Sequence, residues 1–134
     1  VIAHYERVQA LKAMEDILQA HRNIDAVYCH NDDMALGVMQ AFREGGRKGE
    51  AKIYGVDGIQ AEALQAIQDG EMTATWLYLP LGSEGMELAA RILSEQKVPR
   101  KVVLPSPMIH KGNVLEYYDP GARKRKIAPV RLPF

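Results

Sequence analysis

Helical and extended signals alternate along this chain, and that alternation constrains its fold more than any other feature. Between residues 5 and 20, apolar side chains at Val8, Leu11, Met14, Ile17 and Leu18 recur at three- and four-residue steps, as one face of an α-helix requires. Asn23 closes that stretch. Residues 24–29 (IDAVYC) form a short β-branched and aromatic run between polar residues, which predicts a buried strand. Asn31 or Asp32 then offers a side-chain oxygen to cap a helix through Met34, Leu36, Val38, Met39 and Phe42, ended by Gly45-Gly46. The pattern repeats with a strand at 51–56, an exit turn at Asp57-Gly58, and a helix at 61–68 closed by Gly70. It repeats again with a strand at 72–79 ended by Pro80, a helix at 82–96, and a strand at 101–104 broken by Pro105 and Pro107. Residues 107–110 are a further short extended piece before a turn at Gly112-Asn113. Such alternation predicts an α/β fold, with right-handed crossovers on a parallel sheet flanked by helices.

The 134 residues are 47% hydrophobic and 25% charged, enough for a buried core and incompatible with intrinsic disorder. Cys29 is the one cysteine and forms no internal disulfide, and no apolar run approaches the eighteen residues of a membrane-spanning helix. The formal net charge of zero conceals an asymmetry. Up to Asp119 there are 12 basic against 17 acidic side chains, a balance of −5, and five basic residues follow (Arg123, Lys124, Arg125, Lys126, Arg131). A nucleic-acid binder carries a basic patch on its folded body, and this acidic body excludes that class. The basic end, with Pro129 and Pro133, reads as a solvated tail, with anion docking as the alternative. The opening residues lack the charged-then-apolar pattern of a signal peptide, and the chain enters its first helix almost at once, as an excised piece does.

In parallel α/β sheets, ligands gather beyond the carboxyl ends of the strands. Polar or aromatic residues stand at three of those ends: His30-Asn31-Asp32-Asp33, Asp57-Gly58 and Tyr78. Asn31 offers both an acceptor and a donor, Asp57 two acceptor oxygens suited to neighbouring hydroxyls, and Tyr78 a flat ring with a hydroxyl. Together they describe a polyol-binding edge. Each has a purely structural alternative: Asn31 or Asp32 as a helix cap, Asp57 as a turn residue with Gly58, Tyr78 as core. His30, Asp32 and Asp33 are near-consecutive and point in different directions, with no second cluster at ligand spacing, so no metal is expected. His4, His21 and His110 read as surface residues, and Cys29 as packing. Phosphate-loop, dinucleotide, nucleophile-elbow and zinc-protease motifs are all missing from the sequence. Neither an enzyme nor a cofactor is expected.

The segments IDAVYCHNDDMALG (24–37), IYGVDG (53–58) and AIQDGEMTAT (66–75), followed by Pro80, resemble the C-terminal half of a type I periplasmic sugar-binding protein of an ABC transporter, near the ribose-binding type. The resemblance spans roughly residues 4–116. In that family two α/β lobes close around one sugar and the chain crosses between them three times. The resemblance implies that Asn31 and Asp57 hydrogen-bond sugar hydroxyls, and it places Tyr78 where ribose binders carry a glutamine, which leaves room for a different or larger ligand. It assigns residues 1–79 to part of the C-terminal sugar-binding lobe, an incomplete one. It puts 80–105 in the N-terminal lobe and 106–118 back in the first, leaving 119–134 as a basic tail. A hinge falls near residues 79–81 and a return crossing near 105–107. The implied partners are a sugar or polyol, the permease subunits in the membrane and the N-terminal lobe that this piece lacks. The implied location is the periplasm or another extracytoplasmic space. The helix at 82–96 is left without its packing partner, which predicts an exposed apolar patch and self-association. The alternative is the effector-binding core of a lactose-repressor-type regulator, which shares N-D-x-M-A-L-G. Such regulators more often carry an F-D-D turn in place of Val56-Asp57-Gly58, and no helix-turn-helix lies within this chain.

Overall fold

A computed structural model describes residues 1–126 and 132, and it carries the expected alternation. The elements run α1 (Arg7–Ala20), β1 (Ala26–Tyr28), α2 (Asp32–Glu44), β2 (Lys52–Asp57), α3 (Ala61–Asp69), β3 (Ala74–Leu77), α4 (Gly82–Leu93), β4 (Met108–His110) and α5 (Val114–Tyr117). A two-stranded hairpin of β5 (Tyr118–Asp119) and β6 (Lys124–Arg125) follows. The main sheet has the order β1-β2-β3-β4, with the first three strands parallel and β4 antiparallel to β3.

Four expectations are corrected. The first strand is not buried: β1 lies at the sheet edge, with Ala26 exposed and Tyr28 59% exposed. Residues 101–104 form no strand: Val103 is 71% exposed, and β-propensity yields a strand only where a neighbour pairs with it and a face is covered. The fourth strand is instead Met108–His110. It is guided in by Pro107, whose carbonyl accepts from the Leu77 amide at 2.9 Å, and by the Ser106 hydroxyl, which donates to the Leu77 carbonyl at 2.7 Å. The first helix begins at Arg7 rather than Tyr5, because His4 (φ 47°) and Tyr5 (φ 62°) form a turn that no helix accommodates. The basic end is in part ordered. Lys124 and Arg125 pair with Asp119 and Tyr118, and the Tyr118 hydroxyl donates to Gln65 at 2.7 Å. Pro129, Arg131 and Pro133 lie outside the described residues.

Strand register separates two faces. Val27, Ile53, Gly55, Thr75, Leu77 and Ile109 share the face that joins the core, with Ala35, Leu36, Val38, Met39 and Phe42 of α2 and Leu64 and Ile67 of α3. Tyr28, Tyr54, Trp76 and Met108 share the other face. There Tyr28 and Tyr54 each lie within 6.5 Å of the Trp76 ring, and Tyr28 is 59% exposed. No residue of α4 is buried, and Met86, Ile92 and Leu93 face solvent, as expected of a helix without a packing partner.

Helix ends are stopped by ordinary devices. Gly70 adopts a left-handed conformation after α3, and the Glu71 amide returns to the Ala66 carbonyl at 2.9 Å. The end of α1, which has no basic residue of its own in its last turn, is closed by the Arg47 guanidinium. That group donates to the Leu18, His21 and Arg22 carbonyls.

Packing of α1 on α2 depends on Gly37, where an added Cβ would stand 2.3 Å from the Arg7 carbonyl oxygen. Gly37→Ala is therefore expected to force these helices apart and cost about 1–3 kcal/mol, read as a lower denaturation midpoint. Gly85 of α4 faces open space, and Gly85→Ala is expected not to lower that midpoint, since alanine inside a helix is favoured over glycine by about 0.5–1 kcal/mol.

Candidate functional site

Asn31, Asp57 and Tyr78 stand at the carboxyl ends of the three adjacent parallel strands, as the sequence predicted, and the sheet brings them to one edge. Pairing continues past the strand ends: the Cys29 amide donates to the Tyr54 carbonyl and the Tyr78 amide to the Asp57 carbonyl, both at 2.9 Å. Asn31 caps α2, its Oδ1 accepting from the Met34 amide at 2.9 Å. Its Nδ2 donates to the Tyr5 carbonyl at 3.1 Å. One lone pair and one N–H of the side chain are left over, so capping does not use up its hydrogen-bonding capacity.

Asp57 has φ 118°, in the region that favours glycine, and Gly58 follows at φ 62°. A non-glycine residue held there carries strain of order 1–3 kcal/mol that the surroundings must over-determine. The Asp57 carboxyl is half-buried, and burial raises its pKa above the ordinary value, opposed by a hydrogen bond from the Asp32 backbone. Tyr78 is 62% exposed at the edge, so it is not core.

Asp32 and Asp33 diverge. Asp32 is fully buried, and its Oδ2 accepts from the Gly58 amide at 2.8 Å while Oδ1 accepts from the Thr75 hydroxyl at 2.5 Å. Burial pushes its pKa up to about 6, with Asp57 adding repulsion and the two hydrogen bonds opposing the rise. An added Cβ at Gly55 would lie 2.3 Å from Asp32 Oδ1, so a glycine at that point of β2 is what admits the carboxylate. Asp33 points the other way, to Arg7. Its oxygens accept from the Arg7 amide at 3.1 Å and from Nε at 3.0 Å, and the same guanidinium grips Glu62 of α3 through Nη1 and Nη2. These bonds, Glu62 first, hold the Arg7 pKa above its ordinary value.

Residues 1–97 match the periplasmic binding protein domain. The chain belongs to that family. It is 36% identical over 101 residues to the ribose import binding protein RbsB of Escherichia coli, which covers 74% of this chain and 33% of that protein. It is 34% identical over 116 residues to a xylitol-binding protein of Mycolicibacterium smegmatis, covering 84% of this chain and 32% of that one. Among solved structures, an ABC transporter periplasmic solute-binding protein from Actinobacillus succinogenes with bound D-allose superposes with a TM-score of 0.80 at 29% identity, over 86% of this chain and 41% of that one. The chain thus spans about a third of the length of the curated relatives it matches.

In this periplasmic binding protein domain, two features of the edge escaped sequence reasoning. Tyr5 is 64% exposed and its backbone carbonyl accepts from Asn31 Nδ2, which ties this residue to the cap of α2. It escaped because the apolar spacing of α1 absorbs it. Asp32 and Asp33 carry the same side chain at adjacent positions, and only the fold distinguishes the buried one. The glycine at position 55, two residues before Asp57 in a strand otherwise rich in larger residues, was the available signal.

The edge offers acceptors, donors and rings rather than an activated nucleophile. Cys29 is buried, and desolvation pushes its thiol up to about 12. At pH 8 such a thiol is ionised in about one molecule in ten thousand. A chromogenic disulfide is therefore expected to modify Cys29 only as fast as the chain opens, and rapid stoichiometric reaction in native buffer would contradict this placement.

Proposed function

We propose that this chain is part of an extracytoplasmic solute-binding component of an ABC transporter, which takes a sugar or polyol at the edge formed by Asn31, Asp57 and Tyr78. The observation that carries this reading is Asp57: an acceptor-only carboxyl kept at the strand edge by a strained backbone, between an amide and an exposed tyrosine. Vicinal hydroxyls present paired donors to such a carboxylate, while Asn31 serves as both donor and acceptor. The Tyr78 and Tyr5 rings supply flat apolar surface for the C–H face of a sugar. The relatives' printed ligands, ribose, xylitol and D-allose, are all polyhydroxylated and uncharged.

In this reading, residues 1–79 and 106–118 belong to one lobe and 80–105 to a second, consistent with α4 having no buried residue. Ligand contacts from both lobes favour a closed state, and a membrane permease recognises that state. The chain by itself holds half of the site, and the uncovered apolar residues of α4 favour self-association.

Isotope-edited NMR of this chain titrated with D-ribose, D-allose and xylitol tests the site. Shifts are expected at Asn31, Asp57 and Tyr78 at millimolar ligand, and micromolar affinity would contradict a half-site. Asp57→Ala removes charge-assisted hydrogen bonds of about 1.5–3 kcal/mol each. It is expected to weaken binding at least tenfold, and unchanged ligand-induced shifts in that variant would refute the assignment.

A further inference from the structure

We infer that Asp32, which faces away from the ligand edge, is the positioning residue that holds Asn31, Asp57 and Tyr78 in register. This rests on the reading of those three residues as a polyol site. The geometry is that of a single peptide plane clamped at both ends. The unit between Asp57 and Gly58 has its carbonyl bonded by the Tyr78 amide at 2.9 Å and its N–H bonded to Asp32 Oδ2 at 2.8 Å. Asp57 (φ 118°) and Gly58 (φ 62°) flank that plane, and a carboxylate fixed from a separate element is what such a backbone requires to persist. The second oxygen, Oδ1, accepts from Thr75, which fixes Asp32 against β3. Asn31 precedes Asp32 directly and caps the same helix, so anchoring Asp32 also places Asn31.

The charges around Asp32 come from every neighbouring element. On α2 itself, Asp33 is tied to Arg7 of α1, and the positive end of the helix favours an anion at this position. From β1 comes the Cys29 thiol, from β2 the Asp57 carboxyl, and from β3 only the Thr75 hydroxyl. Burial outweighs the two hydrogen bonds and raises the group to about 6. With the folded pKa above the unfolded one, the folded state holds the extra proton, so stability from this group falls as pH rises between about 4 and 6.

The test is NMR of the labelled chain, well below its melting temperature, so that only folded molecules are read. The Gly58 amide is expected to titrate with a midpoint near 6. That titration is expected to vanish in Asp32→Asn, to shift upward in Thr75→Val and to persist, shifted downward, in Asp57→Asn. The amide–α coupling constant of Asp57, which reports its φ, is expected to change in Asp32→Ala and to be rescued in Asp32→Asn, whose carboxamide accepts from Gly58 and donates to Thr75. Ribose- and xylitol-induced shifts are expected to follow the coupling constant, lost in the alanine variant and kept in the asparagine one. A Gly58 titration that persists in Asp32→Asn overturns the inference, as does an unchanged Asp57 coupling in folded Asp32→Ala. Should the alanine variant not fold, Thr75→Val decides, and an unmoved Gly58 midpoint overturns it. If instead Asp57→Ala leaves the ligand-induced shifts intact, the site reading fails while the turn measurements stand.

Discussion

A carboxylate with no exposure to water joins three elements of this fold, and the arrangement of its carboxyl edge depends on it. Asp32 sits at the start of α2, takes the amide of the turn after β2 and takes a hydroxyl from the middle of β3. Burying a charge is unfavourable unless its lone pairs are met, and here two donors and the helix terminus meet them. The demand passes on to its neighbours. Gly55 cannot carry a side chain, because the space its Cβ would fill is occupied by Asp32 Oδ1 and the Met72 methyl. Thr75 must keep its hydroxyl although it is fully buried, because that hydroxyl donates to Asp32. Aspartate, glycine and threonine on three different elements are thus a single requirement.

How much of this was legible follows from the range of each interaction. The parallel order of β1, β2 and β3 follows from helical and extended signals in alternation, because a crossover helix leaves few other topologies. The strand-end residues were legible for the same reason, since topology alone delivers Asn31, Asp57 and Tyr78 to one edge. The fourth strand was not. Residues 101–104 have more local β-propensity than Met108–His110, yet the latter has β3 to pair with and one residue, Ile109, to bury. Nor could the sequence tell that Asp32 goes inward and Asp33 outward. That depends on a glycine 23 positions from Asp32 and on Arg7, which reaches Asp33 across 26 positions.

Among the described residues, two surfaces lack the cover that an α/β fold ordinarily supplies. A mostly parallel sheet is stable with both faces packed, whereas Tyr28, Tyr54, Trp76 and Met108 line a face that is only partly shielded. The apolar stripe of α4 is open along its length. The aromatic rings on the first surface pack on one another, which shields some of their area but leaves Tyr28 more than half exposed. Chains more than twice as long, as the matched relatives are, have material to cover both.

The two ends of the sheet are built by different rules. At the amino ends of the strands the chain uses conventional stops: Gly70 in a left-handed cap, Arg47 closing α1, and Glu71 paired with Arg43 and Lys48. Each of these satisfies a local need and strains nothing. At the carboxyl ends the departures accumulate within a few residues. A non-glycine residue adopts positive φ, a carboxylate is buried without a cation, a glycine interrupts a strand, and a tyrosine is left in solvent. None of these is what stability alone would select, since strain, desolvation and exposed aromatic area all oppose folding. Sequences agree with their folds at every level except where something other than folding constrains them. The departures cluster at the edge where we propose the polyol site, and they support that proposal on physical grounds that are independent of the chain's relatives. The position agrees with the general rule that open α/β sheets bind ligands beyond the carboxyl ends of their strands.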